Sequence, residues 1–155
     1  MIRFTLNGRA VQTTCHPLTR LIDVIREELG DTSVKEGCGE GECGACSILI
    51  DGKLANSCLV PVVQVGDRSI VTIAGFRETQ RGKVLVDAFA REGAVQCGFC
   101  IPGMVLAGEA ILTAHPAPDD VQIRAGLAGN LCRCTGYDLI VRAIASAARE
   151  SVGLW

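Results

Sequence analysis

Eight of the nine cysteines in this 155-residue chain fall into two groups of four. The first group begins in the phrase GCGEGECGAC, residues 37–46. There Cys38, Cys43 and Cys46 form a C-x4-C-x2-C array, and Cys58 follows after eleven intervening residues. Four thiolates at this spacing hold the two irons of a [2Fe-2S] cluster. The glycines Gly37, Gly39, Gly41 and Gly44 matter as much as the sulfurs, because they permit positive φ and let the loop wrap closely around a small inorganic core. Such a wrap aims backbone N–H groups at the sulfurs as an anion-binding nest. Those donors stabilise the negative charge of a four-thiolate cluster and tune its potential. A Zn(Cys)4 site fits this stretch poorly, since zinc takes paired C-x2-4-C knuckles separated by a longer loop. The second group is Cys97-Gly98-Phe99-Cys100 and, after 31 intervening residues, Cys132-Arg133-Cys134. C-x2-C with C-x-C can close a tetrahedral site on a helical scaffold, and the spacing alone leaves zinc or iron open as its metal.

The remaining reactive residues have ordinary roles. Cys15 stands outside both groups and reads as a small buried hydrophobe. His16 and His115 are the only histidines and neither lies within a cysteine group, which argues against a Rieske centre with its two histidine ligands. Glu40 and Glu42 flank cluster cysteines and read as a solvated loop. No G-x-G-x-x-G follows a strand, no P-loop is present, and no Ser/His/Asp set can be assembled. The chain is therefore expected to carry electrons and to bind no organic substrate itself.

Composition agrees. A net charge of −2 gives no reason to expect nucleic acid or an anionic membrane. Hydrophobic residues make up 48% and aromatics only 4%, so the core must be built from Val, Ile, Leu and Ala. No apolar run approaches the ~18 residues of a membrane helix. Ile2–Leu6 reads as a strand rather than as part of a signal peptide, and nine cysteines without a secretory signal point to metal rather than disulfides. A cytoplasmic location is expected.

Two kinds of scaffold must position the quartets. Residues 1–14 read as a β-hairpin turned at Asn7-Gly8, and Leu18–Leu29 as a helix capped by Thr19 and stopped by Gly30. Ser47–Ile50 and Lys53–Ala55 form a second hairpin around Asp51-Gly52, and Ser69–Ile73 gives a further strand. The polar stretch Thr79–Lys83 (TQRGK) reads as a linker. Helices follow at Val84–Arg91, Pro102–Ala114, from Pro118 to about Ala125, and Tyr137–Glu150. Glu109 is the only charged residue between Gly93 and Pro118. A small bundle cannot hide every face of so apolar a segment, so part of it is expected to pack against a partner in a large apolar interface. Trp155 carries no signal.

The first ~75 residues resemble a plant-type ferredoxin, a β-grasp in which a helix crosses a mixed sheet. Both quartets in this order resemble one family more closely still. The phrases SVKEGCGEGECGACSILIDG, GAVQCGFCIPGM and GLAGNLCRCTGY are similar to the iron–sulfur subunit, or N-terminal iron–sulfur region, of the xanthine oxidase family of molybdenum hydroxylases. The resemblance covers nearly the whole chain. It implies an α+β architecture, with a plant-type [2Fe-2S] ferredoxin-like domain at residues 1–78 and a four-helix [2Fe-2S]-binding bundle at residues 79–155.

By resemblance, Cys38, Cys43, Cys46 and Cys58 hold one cluster, and Cys97, Cys100, Cys132 and Cys134 hold the other. Gln96 matches the family glutamine that hydrogen-bonds the pterin of the molybdopterin cofactor, and Cys134 the cysteine whose sulfur approaches it. The implied partners are a large molybdopterin-binding subunit and a medium FAD-binding subunit, assembled as a dimer of heterotrimers. The implied reaction is hydroxylation of a purine, an N-heteroaromatic such as nicotinate or quinoline, an aldehyde or CO, with oxygen from water. Two electrons leave one at a time through the clusters to FAD and then to NAD⁺ or another acceptor. GLAGNLCRCTGY is nearest to bacterial purine or xanthine dehydrogenase subunits. A free two-cluster ferredoxin shuttle and a zinc-stabilised adaptor are the alternatives.

Overall fold

The computed structural model describes residues 1–155. The chain runs β1 (Ile2–Leu6), β2 (Arg9–Thr13), α1 (Leu21–Asp23), β3 (Ser47–Ile50), β4 (Lys53–Asn56), β5 (Ser69–Val71), α2 (Ile73–Phe76), α3 (Gln80–Arg91), α4 (Ile101–Ala114), α5 (Asp120–Gly126) and α6 (Asp138–Glu150). The strands make one mixed sheet in the order β2-β1-β5-β3-β4, in which only β1 and β5 run parallel. Both expected hairpins form. Asn7-Gly8 and Asp51-Gly52 each place two successive residues at positive φ, which matches the right-handed twist of the flanking strands. The sequence reading of an α+β chain, a ferredoxin-like half followed by a helical half, holds. No helix is long and apolar enough to cross a membrane.

The sheet lies between two cores. On one face Phe4, Leu6, Ile48, Ile50 and Ile70 pack with Leu21, Ile22, Val24 and Ile25. On the other, Leu49 joins the helical core of Leu85, Phe89, Met104, Leu106, Ile140 and Ile144. Every residue of β3 is therefore buried, which is why Ser47–Ile50 reads SILI with no polar alternation. Fully burying a Leu, Ile or Phe side chain contributes roughly 1.5–3 kcal/mol, so these two clusters supply the main stabilising term.

Several local expectations are corrected. The first helix begins at Leu21, not Leu18, and Thr19 does not cap it. Residues before it pair with the stretch after Cys58: Leu21 N–H donates to Val60 O, Val62 N–H to Thr19 O and Val63 N–H to Pro17 O. These long-range bonds occupy groups that a longer helix would have needed. From Val24 to Glu28 the helix widens into a π turn. The last strand ends at Val71, and Ile73, expected to close it, instead opens α2 with Thr72 at its N-cap position. TQRGK is no linker: Thr79 caps α3 by accepting from Gly82 N–H, so Gln80–Lys83 are helical.

Of the apolar stretch from Gly93 to Pro118, α4 is covered from within, while Val95 and Phe99 before it stay exposed and open to a partner. Met104 to Glu109, Ile111 and Leu112 are all buried within this chain, because α4 runs through the middle of the helical core and against the sheet. The one acid in this helix is satisfied internally. Glu109 accepts from Trp155 Nε1 at 2.6 Å, Arg81 Nη1 at 3.0 Å and Thr113 Oγ1 at 3.3 Å, and Arg81 also stacks over the Trp155 ring. Trp155 is thus an anchor, a role that nothing in its position along the chain signals.

Candidate metal centres

All nine cysteines are free thiols. The first quartet gathers where the glycine-rich loop meets the end of β4. Gly39, Gly41 and Gly44 all take positive φ. Cys38 Sγ accepts from the backbone N–H of Glu42 at 3.3 Å and from those of Glu40 and Cys43 at 3.4 Å, and Cys38 N–H donates back to Cys43 Sγ at 3.4 Å. This is the expected nest. The N–H groups of Glu40 and Cys43 hold the Cys38 thiol down to about 7. Cys58 is brought up from beneath. Asn56 Nδ2 donates to Gly41 O at 2.9 Å, and Ser57 Oγ to Cys46 O at 2.8 Å, which ties the residues before Cys58 to the loop. Burial and the hydrogen-bonded Cys46 thiol push Cys58 up to about 11.

The second quartet sits between helix ends. Cys97 and Cys100 lie on the turn that enters α4, with Cys100 at its N-cap position and Pro102 in its first turn. Cys132 and Cys134 lie on the loop that enters α6. Tyr137 shapes that loop: it takes φ +71, a strained value for a bulky residue, while its hydroxyl accepts from Cys132 N–H at 2.9 Å. Thr135 Oγ1 donates to Cys132 Sγ at 3.0 Å and accepts from Tyr137 N–H at 3.3 Å. Burial and the Cys132 thiol push Cys100 up to about 12. Burial also raises Cys132, but the hydroxyl and N–H of Thr135 outweigh it and leave this thiol below its ordinary value. The hydrogen bond to Cys97 raises Cys134.

Both quartets resolve into pairs. The thiols that act most strongly on one another are Cys38 with Cys43, Cys58 with Cys46, Cys100 with Cys132 and Cys134 with Cys97. Two thiolate pairs per quartet suit two irons, each with two protein ligands. The raised values of Cys58 and Cys100 describe an anion with no cation beside it, and a coordinating metal ion reverses that penalty. The residues present therefore fit two [2Fe-2S] clusters.

The two sites touch. Leu131 N–H, one residue before Cys132, donates to the carbonyl of Cys43 at 2.9 Å. On the outer side, Gln96, Cys97 and Cys134 are exposed, and Val95, Phe99 and Leu131 leave apolar surface around them. Glu40 and Glu42 are exposed as expected, and Cys15 is half-buried against the core beneath the sheet.

Residues 4–69 match a family described as a 2Fe-2S iron-sulfur cluster binding domain, and residues 72–145 match a [2Fe-2S] binding domain. The chain is 47% identical, over 97% of its length and 87% of the relative's, to a probable xanthine dehydrogenase subunit of Bacillus subtilis. This chain belongs to the iron–sulfur subunits of the xanthine oxidase family of molybdenum hydroxylases. Within that family it is also 44% identical to the nicotinate dehydrogenase small FeS subunit of Eubacterium barkeri, over 92% of this chain and 91% of that one. Among solved structures, a chain of quinoline 2-oxidoreductase from Pseudomonas putida 86 matches with a TM-score of 0.87 and 42% identity, covering 97% of this chain and 96% of the other. The family membership agrees with both cysteine phrases. Three residues at the sites escape the sequence reading: Tyr137, Thr135 and Asn130. All three stand inside the quoted phrase GLAGNLCRCTGY, which is the available signal.

Proposed function

We propose that this chain is the electron-transfer subunit of a cytoplasmic molybdenum hydroxylase acting on a purine, an N-heteroaromatic compound or an aldehyde. When bound, the two [2Fe-2S] clusters accept and release single electrons between the molybdopterin centre of a large subunit and the FAD of a medium subunit. Nine free thiols suit a reducing compartment. We divide the chain into a ferredoxin-like unit, residues 1–78, and a helical unit, residues 79–155, a cut supported by the helix cap at Thr79.

The chain's own residues have distinct tasks. Cys38, Cys43, Cys46 and Cys58 hold the ferredoxin-like cluster, and the N–H groups of Glu40, Glu42 and Cys43 offset the negative charge gathered there. Cys97, Cys100, Cys132 and Cys134 hold the helical cluster. Gln96 binds the pterin through its carboxamide, and Cys134 presents its sulfur on the same side. The exposed Val95, Phe99 and Leu131 around this edge favour a permanent partner over a free shuttle. The assembly we propose is a dimer of heterotrimers. The single observation that carries the reading is the meeting of the two cysteine loops, where Leu131 N–H, one residue before Cys132, donates to Cys43 O at 2.9 Å.

Co-expression with the neighbouring large and medium subunits tests it. The purified complex should contain all three chains and about four irons per copy of this one, two per cluster. Gln96→Ala should keep the iron and lower turnover about 10–100-fold, as loss of a supporting hydrogen bond does. Stoichiometric zinc, or a chain that purifies alone as a soluble monomer, would overturn the proposal.

A further inference from the structure

Asn130 is a buried polar residue, 4% exposed, two positions before Cys132. Its side chain reaches across to the first cysteine loop, where Nδ2 donates to Gly44 O at 2.9 Å and to Ser47 Oγ at 3.2 Å. Ser47 is also buried, and its hydroxyl donates to the same Gly44 carbonyl at 2.7 Å. The next residue, Leu131, donates its N–H to Cys43 O at 2.9 Å. Two consecutive residues leading into Cys132 thus bind two consecutive carbonyls, those of Cys43 and Gly44, on the loop between Cys43 and Cys46.

The fit leaves little slack. A Cβ at Gly44 would lie 2.5 Å from Asn130 Nδ2 and 2.4 Å from Gly129 O. A Cβ at Gly103, in the first turn of α4, would lie 2.3 Å from Gly44 O and 3.0 Å from Asn130 Nδ2. The amide is needed as a donor, because both of its partners at Nδ2 are acceptors. A carboxylate of the same size would set an anion against Gly44 O in a site closed to water, where an unmatched polar group is costly.

We propose that Asn130 is a positioning residue for electron transfer between the two clusters. Its carboxamide fixes the first cysteine loop against the second and so sets the separation across which electrons pass. This rests on the two-cluster reading above. Asn130 is no ligand; it acts through the backbone of Gly44 and, with Leu131, on both sides of the junction.

The test uses the assembled complex with Asn130→Asp and, separately, Ser47→Ala. Iron content and the two EPR signals report whether each cluster is present. The magnetic splitting between the two reduced clusters reports their separation and relative orientation, and freeze-quenching reports the rate of passage between them. Asn130→Asp should keep four irons, weaken the splitting and slow passage about tenfold or more. Ser47→Ala retains the contact to Gly44 and should shift both readings less, in the same direction. Unchanged splitting and rate in Asn130→Asp, with both clusters present, would overturn the proposal. So would loss of a cluster in Asn130→Asp with Ser47→Ala unchanged, which would make Asn130 a folding residue. Failure of the unsubstituted complex to show four irons and two signals would instead defeat the two-cluster reading.

Discussion

In the first quartet, three of the four cysteines share one glycine-rich loop, and backbone N–H groups crowd onto the sulfur of Cys38. In the second, the cysteines stand in two short turns that open α4 and α6, and Cys132 accepts from a hydroxyl, Thr135 Oγ1. The first site is organised by local backbone conformation. The second is organised by helices whose placement depends on a shared hydrophobic core. A loop that folds around its metal needs glycine; a site between helices needs the bundle to be right first. In charge the sites are alike: each holds one thiol down, Cys38 by N–H donors and Cys132 by Thr135, and burial pushes one up, Cys58 and Cys100.

The largest effects should come from removing ligands, one site at a time. Cys58→Ala should drop iron from about four to two per chain and erase one EPR signal, while Cys97→Ala erases the other. Metal analysis and EPR on each variant check this. If either substitution abolished both signals, the sites would not be separable in the way the two scaffolds suggest.

A second contrast lies in the glycines. Gly44→Ala places a Cβ 2.4 Å from Gly129 O at a residue with φ +66, so strain and overpacking add. A loss of about 2–5 kcal/mol is expected. Gly136→Ala also imposes a positive φ, +67, but meets nothing within 4 Å, and should cost only about 1–2 kcal/mol. Denaturant unfolding of the two variants reads the difference; equal losses would mean that the junction between the sites is softer than its contacts imply.

The helical half closes with a polar clasp around Glu109. Glu109→Ala leaves Trp155 Nε1 without its acceptor and Arg81 with only Leu154 O, and should destabilise by about 1–3 kcal/mol, with both clusters retained. Thermal unfolding and iron content together check it. Cys15→Ala, in the other half, should be the mildest change. Cys15 belongs to neither quartet, and the loss should stay within about 1 kcal/mol with both signals intact. Disappearance of a signal would make Cys15 a ligand.

Much of this is legible in the sequence, and the rest is hidden for identifiable reasons. The hairpins follow from Asn-Gly and Asp-Gly, whose local conformational preference decides them. The quartets follow from spacing. The start of α1 departs from its helical periodicity because pairing with residues 60–63, far along the chain, wins over it. In TQRGK, polar composition masks the cap at Thr79. The apolar run from Gly93 to Pro118 suggests a partner; the chain covers α4 with its own sheet and helices and leaves Val95 and Phe99 exposed. Asn130, Tyr137 and Trp155 act through bonds to groups that no spacing rule connects to them.

On the proposed path, electrons enter at the helical site, where Gln96, Cys97 and Cys134 are exposed, and leave by way of the ferredoxin-like site. Rapid-freeze EPR of the assembled Cys43→Ala complex, mixed with its substrate, tests that order most directly. The helical signal is expected to appear while the flavin stays oxidised through the turnover time. A flavin reduced at the normal rate in that complex would contradict the order.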